Sequence, residues 1–366
     1  MKKTLAAVAV LGAFAGSALA ADVTLYGKVD LGLQYTHSET DFDDVKTPDT
    51  DYDKFALKSG GNSSSRFGLK GVEEISEGLK VGFQLEHGFT ADDNEDEATK
   101  LFSREMRLYV TSDFGTLHMG RFGGLDSNTG SVDMTGDLYA TTGYGDAIAV
   151  VDEVMHVNGD RFANSIAYTS PEFAGVTVSA MASLGKDVKD ANDKVIAREG
   201  SSKVDRYYAL GAMGQWGALG AGVVVSTEDF ADVRTKDKDQ DNSMNVTAGV
   251  NYDFGIVKTF LAANYYDNGL RTKDYGVVLS AVAPVGSGDL EVSAGYGKTK
   301  TDSYVNAKNE KVAEEKGDAF TVGAMYTYPL SKRTYVYAGA GYTEVEDKDV
   351  QETKTYQVVS GLCHNF

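Results

Sequence analysis

Apolar and polar residues alternate strictly in the segment DVTLYGKVDLGLQY (22–35). The odd-numbered positions carry Val, Leu, Gly and Tyr, whereas Lys28, Asp30 and Gln34 fall on even-numbered positions. A period of two residues that persists over about a dozen positions is typical of a β-strand with one apolar and one polar face. We therefore predict a first strand here whose two faces meet different surroundings.

The same alternation returns along the rest of the chain and reaches its last residue, Phe366. Together with the first segment, the further strand-like segments give sixteen predicted strands. The further segments are 64–73, 79–89, 104–112, 116–122, 161–170, 175–184, 206–216, 217–226, 243–254, 255–266, 273–283, 289–298, 318–330, 333–344 and 355–366.

The connections between these segments alternate in length. Short ones such as EISEG (74–78), SDFG (112–115) and PLSKR (329–333) alternate with connections that are mostly long and acidic. This predicts an antiparallel sheet with tight turns at one end and loops at the other. The long connections are predicted at 36–63, 90–103, 123–160, 185–205, 227–242, 267–272, 299–317 and 345–354.

An even number of strands places both chain ends at the tight-turn end, where the first strand can pair with the last. The predicted fold is all-β: a 16-stranded antiparallel transmembrane β-barrel with short periplasmic turns and long extracellular loops. A soluble β-sandwich or solenoid is the alternative, because its strands also alternate. This alternative does not explain why the long loops all fall at one end of the sheet and the tight turns at the other. Nor does it explain the aromatic residues at the tight-turn ends: Phe114, Phe173, Trp216, Phe254, Tyr328 and Phe366.

The first twenty residues have the pattern of a secretory signal. Lys2 and Lys3 precede an apolar run (5–16), and small residues end at Ala20. The apolar run is shorter than the ~20 residues of a membrane-spanning helix, which disfavours the alternative of an amino-terminal anchor. We predict a signal peptide at 1–20 and a single barrel domain at 21–366.

Composition and charge limit the function. The chain has 41 Gly, 21 Tyr and 16 Phe but 4 Pro, which favours strands, and the single Cys363 excludes an intramolecular disulfide. A net charge of −19 argues against nucleic-acid binding.

The sequence offers no recognisable metal motif. The series Asp49, Asp51 and Asp53 lacks the Gly and Glu of a calcium loop. The histidines have no metal-ligand spacing, so we predict no metal site and no cofactor.

A barrel of sixteen strands is too wide for side chains to fill and leaves an aqueous channel. Its polar face should then line water. The connection 123–160 is longer than the ~12–15 residues of an ordinary loop and is rich in acidic residues, which indicates a functional segment. Folded inward, it would set acids against basic wall residues and screen solutes by size and charge.

Five motifs resemble the general trimeric porins of Gram-negative outer membranes. They are LYGKVDLGL (25–33), SSRFGLKG (64–71), DFGTLHMGRFG (113–123), RFANSIAYTSPEFAG (161–175) and GLCHNF (361–366). The last is similar to the neisserial-type branch. The resemblance implies a homotrimer in the outer membrane that forms a water-filled channel for passive diffusion of small hydrophilic solutes and ions. It also implies an inward-folded third loop that narrows this channel.

The resemblance also implies roles for individual residues of the pore. The family's basic wall cluster corresponds to Lys28, Arg66 and Arg161, all on the inward parity. For a further wall arginine, Arg104 matches the family position whereas alternation favours Arg107. We choose Arg107. By distance from the preceding strand, the acids of the constriction would be Asp133 and Asp137.

Other residues are assigned to assembly. Arg121 has outward parity, and the resemblance implies a trimer contact, with the acidic second loop (92–97) of a neighbour as its partner. The terminal strand, with Tyr356, Leu362, His364 and Phe366, is expected to be the signal read by the barrel-assembly machinery. Cys363 stands where neisserial-type endings usually carry Arg, and its role is not explained.

Rival functions are a surface adhesin or receptor that uses the acidic loops, and an outer-membrane hydrolase. Ser165 and His156 form the pair considered for catalysis, and the sequence has no Gly-x-Ser-x-Gly elbow, so we predict that the protein is not an enzyme. The expected partners are outer-membrane lipid and lipopolysaccharide. Acids in the outer loops predict a preference for cations.

Overall fold

The computed structural model describes residues 23–43, 47–93, 101–140, 148, 150–189, 194–201, 203–230, 241–305, 311–312 and 314–366. The predicted signal peptide lies outside these residues. In the part described, no helix is long and apolar enough to cross a membrane. The strands are β1 (Thr24–Phe42), β2 (Thr50–Ser59), β3 (Arg66–Ser76), β4 (Leu79–Gly88), β5 (Glu105–Ser112), β6 (Gly115–Gly123), β7 (Arg161–Thr169), β8 (Val176–Ser183), β9 (Val188–Lys189), β10 (Val195–Ala197), β11 (Arg206–Trp216), β12 (Leu219–Asp229), β13 (Met244–Asp253), β14 (Lys258–Asp267), β15 (Thr272–Val285), β16 (Gly288–Thr301), β17 (Tyr304–Val305), β18 (Lys311–Val312), β19 (Glu315–Pro329), β20 (Thr334–Asp347) and β21 (Gln351–Asn365).

The main sheet closes into a barrel, as predicted. It contains 17 strands, and β2 and β3 both pair with β1, so these two share one position in the wall and the barrel has sixteen positions. The last strand pairs with the first along all of β21, from Asn365 opposite Lys28 to Gln351 opposite Phe42. Closure removes both sheet edges, which a spanning sheet requires because lipid offers no hydrogen-bond partner.

The predicted loop 36–63 is mostly strand instead. β1 continues to Phe42 and pairs with β2 from Leu31 opposite Ser59 to Thr40 opposite Thr50. Above the membrane both faces of a strand meet water, so the apolar alternation that marks a strand in the sequence disappears there. For the same reason β16, β19, β20 and β21 extend into segments predicted as loops. Two small hairpins also lie in predicted loops, β9–β10 in 185–205 and β17–β18 in 299–317.

The outer face of the wall is apolar and exposed, which fits lipid contact. Leu25, Leu33 and Leu210 expose 47%, 49% and 59% of their surface. The aromatics at the tight-turn end are exposed too, with Phe114 at 83% and Phe173 at 84%. They lie where an interfacial girdle is expected.

Candidate functional site

The third loop follows β6 at Gly124 and ends before β7 at Asp160, and its described residues (124–140, 148 and 150–160) fold into the barrel. Its apolar side chains pack on the inner wall: Met134 on Gly211 of β11, Leu138 on Gly222 and Gly249 of β12 and β13, Val154 on Gly276, Gly295 and Gly297 of β15 and β16, and Ile148 on Gly339 and Gly341 of β20.

These wall glycines allow the loop to approach the wall backbone. A Cβ at Gly276 would lie 1.9 Å from the carbonyl oxygen of Val154, and one at Gly339 would lie 2.8 Å from Cδ1 of Ile148. At Gly276 the obstructing atom belongs to the backbone, so a side chain there would displace the loop, whereas at Gly339 the neighbouring atoms would have to shift. We call these wall residues the glycine groove: Gly211, Gly222, Gly249, Gly276, Gly295, Gly297, Gly339 and Gly341. The groove explains why apolar loop residues cover part of a lumen wall that was expected to be polar.

Asp126 attaches the start of the third loop to three wall strands. Its buried carboxylate accepts hydrogen bonds from Tyr207 OH at 2.6 Å, from Asn245 Nδ2 at 2.8 Å and from the Ser226 hydroxyl. An ionised carboxylate with several donors is a strong anchor in a low-dielectric site. The sequence shows Asp126 among the loop acids, but nothing in it distinguishes an anchor from a solvated acid.

Further along the loop, the wall supplies amide and hydroxyl partners. Asn251 donates to the Asp137 carbonyl oxygen at 2.8 Å, and Asn158 of the loop donates to Glu228 at 3.0 Å. Ser280 donates to the Ala140 carbonyl oxygen at 3.2 Å. The loop is therefore held by both apolar packing and hydrogen bonds along several strands.

The break between β2 and β3 shapes the opposite side of the lumen. Residues 60–65 turn inward over the buried carboxylate of Asp30, which accepts from the backbone N–H groups of Ser63 at 2.7 Å and Asn62 at 3.1 Å and from Tyr337 OH at 2.6 Å. This inward turn was not predicted. Asp30 stabilises it by accepting hydrogen bonds from two backbone donors that the broken strand leaves without a partner in the sheet.

The inward turn also positions two of the predicted basic residues. Lys28 lies directly opposite Arg66 in the β1–β3 register, so both side chains face the lumen. Lys28 Nζ donates to Ser63 Oγ at 3.0 Å, and Arg66 Nη1 donates to the Ser64 carbonyl oxygen at 3.2 Å. The structure thus brings Lys28 and Arg66 together.

Arg107 and Arg104 both lie in this region. Arg107 faces inward from β5, between Gln84 Oε1 at 2.9 Å and His118 Nδ1 at 2.8 Å. Arg104, just before β5, is buried and bonds Glu86 Oε1 through Nε at 2.8 Å. We call Lys28, Arg66, Arg104 and Arg107 the basic wall.

Two wall carboxylates offset the charge of the basic wall. Glu86 pairs with Arg104 and also lies 3.7 Å from Nε of Arg66, while Glu105 Oε2 lies 3.8 Å from Nε of Arg107. Glu105 also accepts from Ser131 N at 2.7 Å and Ser131 Oγ at 2.6 Å. Through this contact the third loop meets the basic wall.

Arg161 lies where the β6–β7 register departs from the simple alternation on which its assignment to the pore wall was based. In the β6–β7 register Gly120 pairs with Ser165 but Phe122 pairs with Phe162, so β7 has one residue more than β6 between these pairs. Such a bulge inverts the parity beyond it. Phe162 therefore points inward, where its ring stacks on Tyr207 with centroids 4.0 Å apart, and Arg161 takes the outward parity.

The two predicted constriction acids differ in their surroundings. The Asp133 carboxylate accepts hydrogen bonds from its own loop, from Asn128 N at 2.8 Å, Thr135 Oγ1 at 2.8 Å and Gly136 N at 2.9 Å. Burial raises the pKa of Asp133, although these hydrogen bonds act in the opposite direction. Asp137 is exposed. The ion pairs described above join the wall arginines to Glu86 and Glu105 instead.

Arg121 has the predicted outward parity, since it pairs with Met106, which is 40% exposed on the outer face. Its guanidinium donates to Ser103 O at 3.1 Å and to Arg161 O at 2.6 Å. These contacts lie within the chain. Residues 94–97 of the expected partner loop lie outside the described residues.

The terminal strand closes the barrel seam. Phe366 N donates to Gly27 O at 3.0 Å, Gly27 N donates to Phe366 O at 3.1 Å, and the Phe366 ring covers Gly27, which has no side chain to obstruct it. Tyr356 and Leu362 are 45% and 46% exposed on the outer face, and His364 Nδ1 lies 2.8 Å from Thr334 Oγ1. Cys363 is buried on the inward parity, opposite Asp30 in the register.

Comparison with known proteins agrees with this geometry. The sequence profile of the Gram-negative porins matches residues 6–348. The chain belongs to this family of porins. It is 27% identical to an outer membrane porin protein of Bordetella pertussis, with all of both chains covered, and 28% identical to outer membrane porin protein 32 of Delftia acidovorans, with 99% and 95% covered.

Two further similarities concern the branch and the fold. The porin is 26% identical to the major outer membrane protein P.IB of Neisseria sicca over the whole of both chains. A solved structure described as an anion-selective porin from Comamonas acidovorans has a TM-score of 0.66 at 24% identity and covers 95% of this chain and 100% of its own. These findings confirm the predicted neisserial-type porin, its outer-membrane location and its function as a passive diffusion channel.

Proposed function

We propose that the constriction of this porin lies between the basic wall and the third loop, where Ser131 contacts Glu105. The observation that carries this proposal is the crossing of the lumen by the loop, attached to β11–β20 through the glycine groove and Asp126 and to β5 through Glu105. Asp133 and Asp137 contribute negative charge from the loop side. Small hydrophilic solutes and ions pass beside this bridge.

We further propose a preference for cations. Glu86 and Glu105 offset much of the positive charge of the basic wall. The other acids around the lumen then make the electrostatic potential in the channel negative. On the far side, a cavity of about 290 Å³ between the loop and β15–β20 is lined by Lys298 and by several acids. Acids of this kind raise the local concentration of cations. Of these acids, Asp152, Glu153, Asp274 and Asp347 are the candidates for the lumen, because Asp318 shares the outward parity of Phe320 and pairs with Lys348.

A planar bilayer tests both proposals. Folded porin should give stepwise conductance, and in a salt gradient the reversal potential should have the sign of a cation-selective pore. High salt should reduce the preference because exposed charges are screened within a Debye length of about 10 Å at 0.1 M. A reversal potential of anion sign would overturn the selectivity, and folded protein without conductance steps would overturn the channel itself.

We propose that the porin is a homotrimer in which outward-facing Arg121 lies at the contact between protomers. A structural neighbour, OmpT of Vibrio cholerae, is described in a trimer form, with a TM-score of 0.57 at 12% identity. Lipid and lipopolysaccharide are proposed to cover the exposed outer face, and the barrel-assembly machinery to read the terminal strand. Light scattering of detergent-extracted protein should give three chains per particle, and a monomer from native membrane would contradict the trimer.

The proposal includes no catalytic activity. The Ser165 hydroxyl donates to Phe162 O at 3.0 Å, and the His156 ring stacks on Tyr266 with centroids 3.5 Å apart. The pair considered from the sequence therefore serves local structure. Hydrolysis of an ester substrate that is lost on replacing Ser165 with Ala would contradict this.

We also propose that residues 1–20 are a signal peptide. Mass spectrometry of the mature amino-terminus should find Ala21.

A further inference from the structure

At the extracellular ends of β1 and β2, a histidine and three acids meet on the outer face of the barrel. His37 pairs directly with Asp53 across the two antiparallel strands, and Glu39 pairs with Asp51. All four follow the outward parity of Leu33, beyond the apolar band. The His37 side chain is 23% exposed and those of Asp51 and Asp53 are 68% and 61% exposed, so solvent ions reach them.

The distances within this group match those between the ligands of a metal ion. His37 Nδ1 lies 3.0 Å from Asp53 Oδ1 and 3.5 Å from Asp51 Oδ1, and one ligand atom from each residue lies within 4.8 Å of the others. In a tetrahedral zinc site with bonds of ~2.0–2.2 Å, ligand atoms are about 3.4 Å apart. The three atoms would need only small movements to surround one ion.

Glu39 gives a second reason to expect a ligand at Nδ1. Its Oε1 lies 3.0 Å from the other ring nitrogen, Nε2. When Nε2–H donates to a carboxylate, the neutral imidazole presents the lone pair of Nδ1. Histidines that bind metals usually have such a carboxylate partner on the second nitrogen. The Nδ1 lone pair then faces two carboxylate oxygens, and either a proton or a metal cation is needed between them.

We propose that His37, Asp51 and Asp53 bind a divalent transition metal of the zinc class, with Glu39 orienting the imidazole. An imidazole with two carboxylates suits zinc and leaves a fourth position for water. Calcium favours six to eight oxygen ligands, which this group does not offer. Because the ligands come from two strands, the ion joins β1 to β2 beside the extracellular mouth, a property separate from diffusion through the lumen.

Calorimetric titration of the porin with Zn²⁺ tests the proposal. The full chain is extracted from outer membranes without a histidine tag, freed of metal with a chelator, and titrated with zinc chloride and, separately, calcium chloride. One zinc site per chain is expected, with calcium bound at least about tenfold more weakly. Equal affinity for the two ions would overturn the proposal, since it would indicate a general acidic surface.

Variants locate the site. His37→Ala should lower zinc affinity by more than tenfold, and Asp53→Asn should do the same, while Glu39→Gln should lower it by about tenfold through loss of orientation. Asp41→Asn is the matched control because it removes one charge from the same face of β1, outside the cluster, and should bind zinc like the parent. Single-channel conductance at the parent level shows that each variant is folded. Parent-like zinc binding by folded His37→Ala would refute the site.

Discussion

Asp126 links the third loop to β11, β12 and β13 through one buried carboxylate. Replacing it with Ala removes three hydrogen bonds to a charged group, each worth about 1.5–3 kcal/mol, and leaves the wall donors without this acceptor. We expect Asp126→Ala to release the start of the loop, which should give noisy single-channel currents with variable conductance.

Asp137→Ala is the control for this change. The Asp137 side chain is exposed, and its described hydrogen bond uses the backbone carbonyl oxygen, which the substitution keeps. Its currents should be as steady as those of the parent. Quiet currents of parent size from Asp126→Ala would show that the glycine groove alone holds the loop.

Arg66 and Arg161 give a second prediction at the scale of single residues. Arg66 faces the lumen opposite Lys28, whereas the bulge in β7 gives Arg161 the outward parity. Arg66→Ala should therefore raise conductance and shift the reversal potential further toward cations. Arg161→Ala should change both much less. A salt-gradient measurement on the two variants compares them directly, and equal shifts would contradict the reversed parity.

The third loop and the wall strands form one packed unit at the scale of elements. A side chain at Gly276 would overlap the backbone of Val154, so Gly276→Val should push residues 150–155 off the wall and into the lumen. Conductance should fall. Gly159→Ala is the matched control, because a Cβ at Gly159 has nothing within 4 Å. If both variants conduct like the parent, the loop moves freely on the wall.

Closure of the seam between β1 and β21 is a property of the whole molecule. Phe366 contributes the last two backbone hydrogen bonds of this seam and covers Gly27 with its ring. Deleting Phe366 should lower the amount of folded porin in the outer membrane, measured as the heat-modifiable band in gel electrophoresis. The molecules that fold should conduct like the parent, because Phe366 lies on the outer face.

Phe366→Tyr serves as the control for that deletion, since it keeps the ring and the backbone pairing. It should assemble almost as well as the parent. A deletion variant that assembles normally would remove Phe366 from the assembly signal, whereas one that assembles normally but conducts differently would indicate a role in the pore.

Much of the fold was determined by the sequence alone. Alternation with a period of two arises where one face of a strand contacts lipid and the other contacts water. It therefore reveals each strand within the part of the wall that spans the membrane. The count of sixteen positions, the loop polarity, the pairing of the first strand with the last and the inward orientation of Lys28, Arg66 and Arg107 all follow from it. Where strands rise above the membrane, this contrast ends, and the extensions of β1 and β2 could not be predicted.

Tertiary structure alone decided how side chains from distant strands meet. A single extra residue in β7 reverses the parity of Arg161, and alternation counted along one strand cannot detect a bulge defined by its partner. Pairing of Arg104 with Glu86, attachment of Asp126 to β11–β13 and the meeting of His37 with Asp53 each depend on the register between strands. The register between strands is set by closure of the whole barrel. The spacing of residues along the sequence therefore does not predict it.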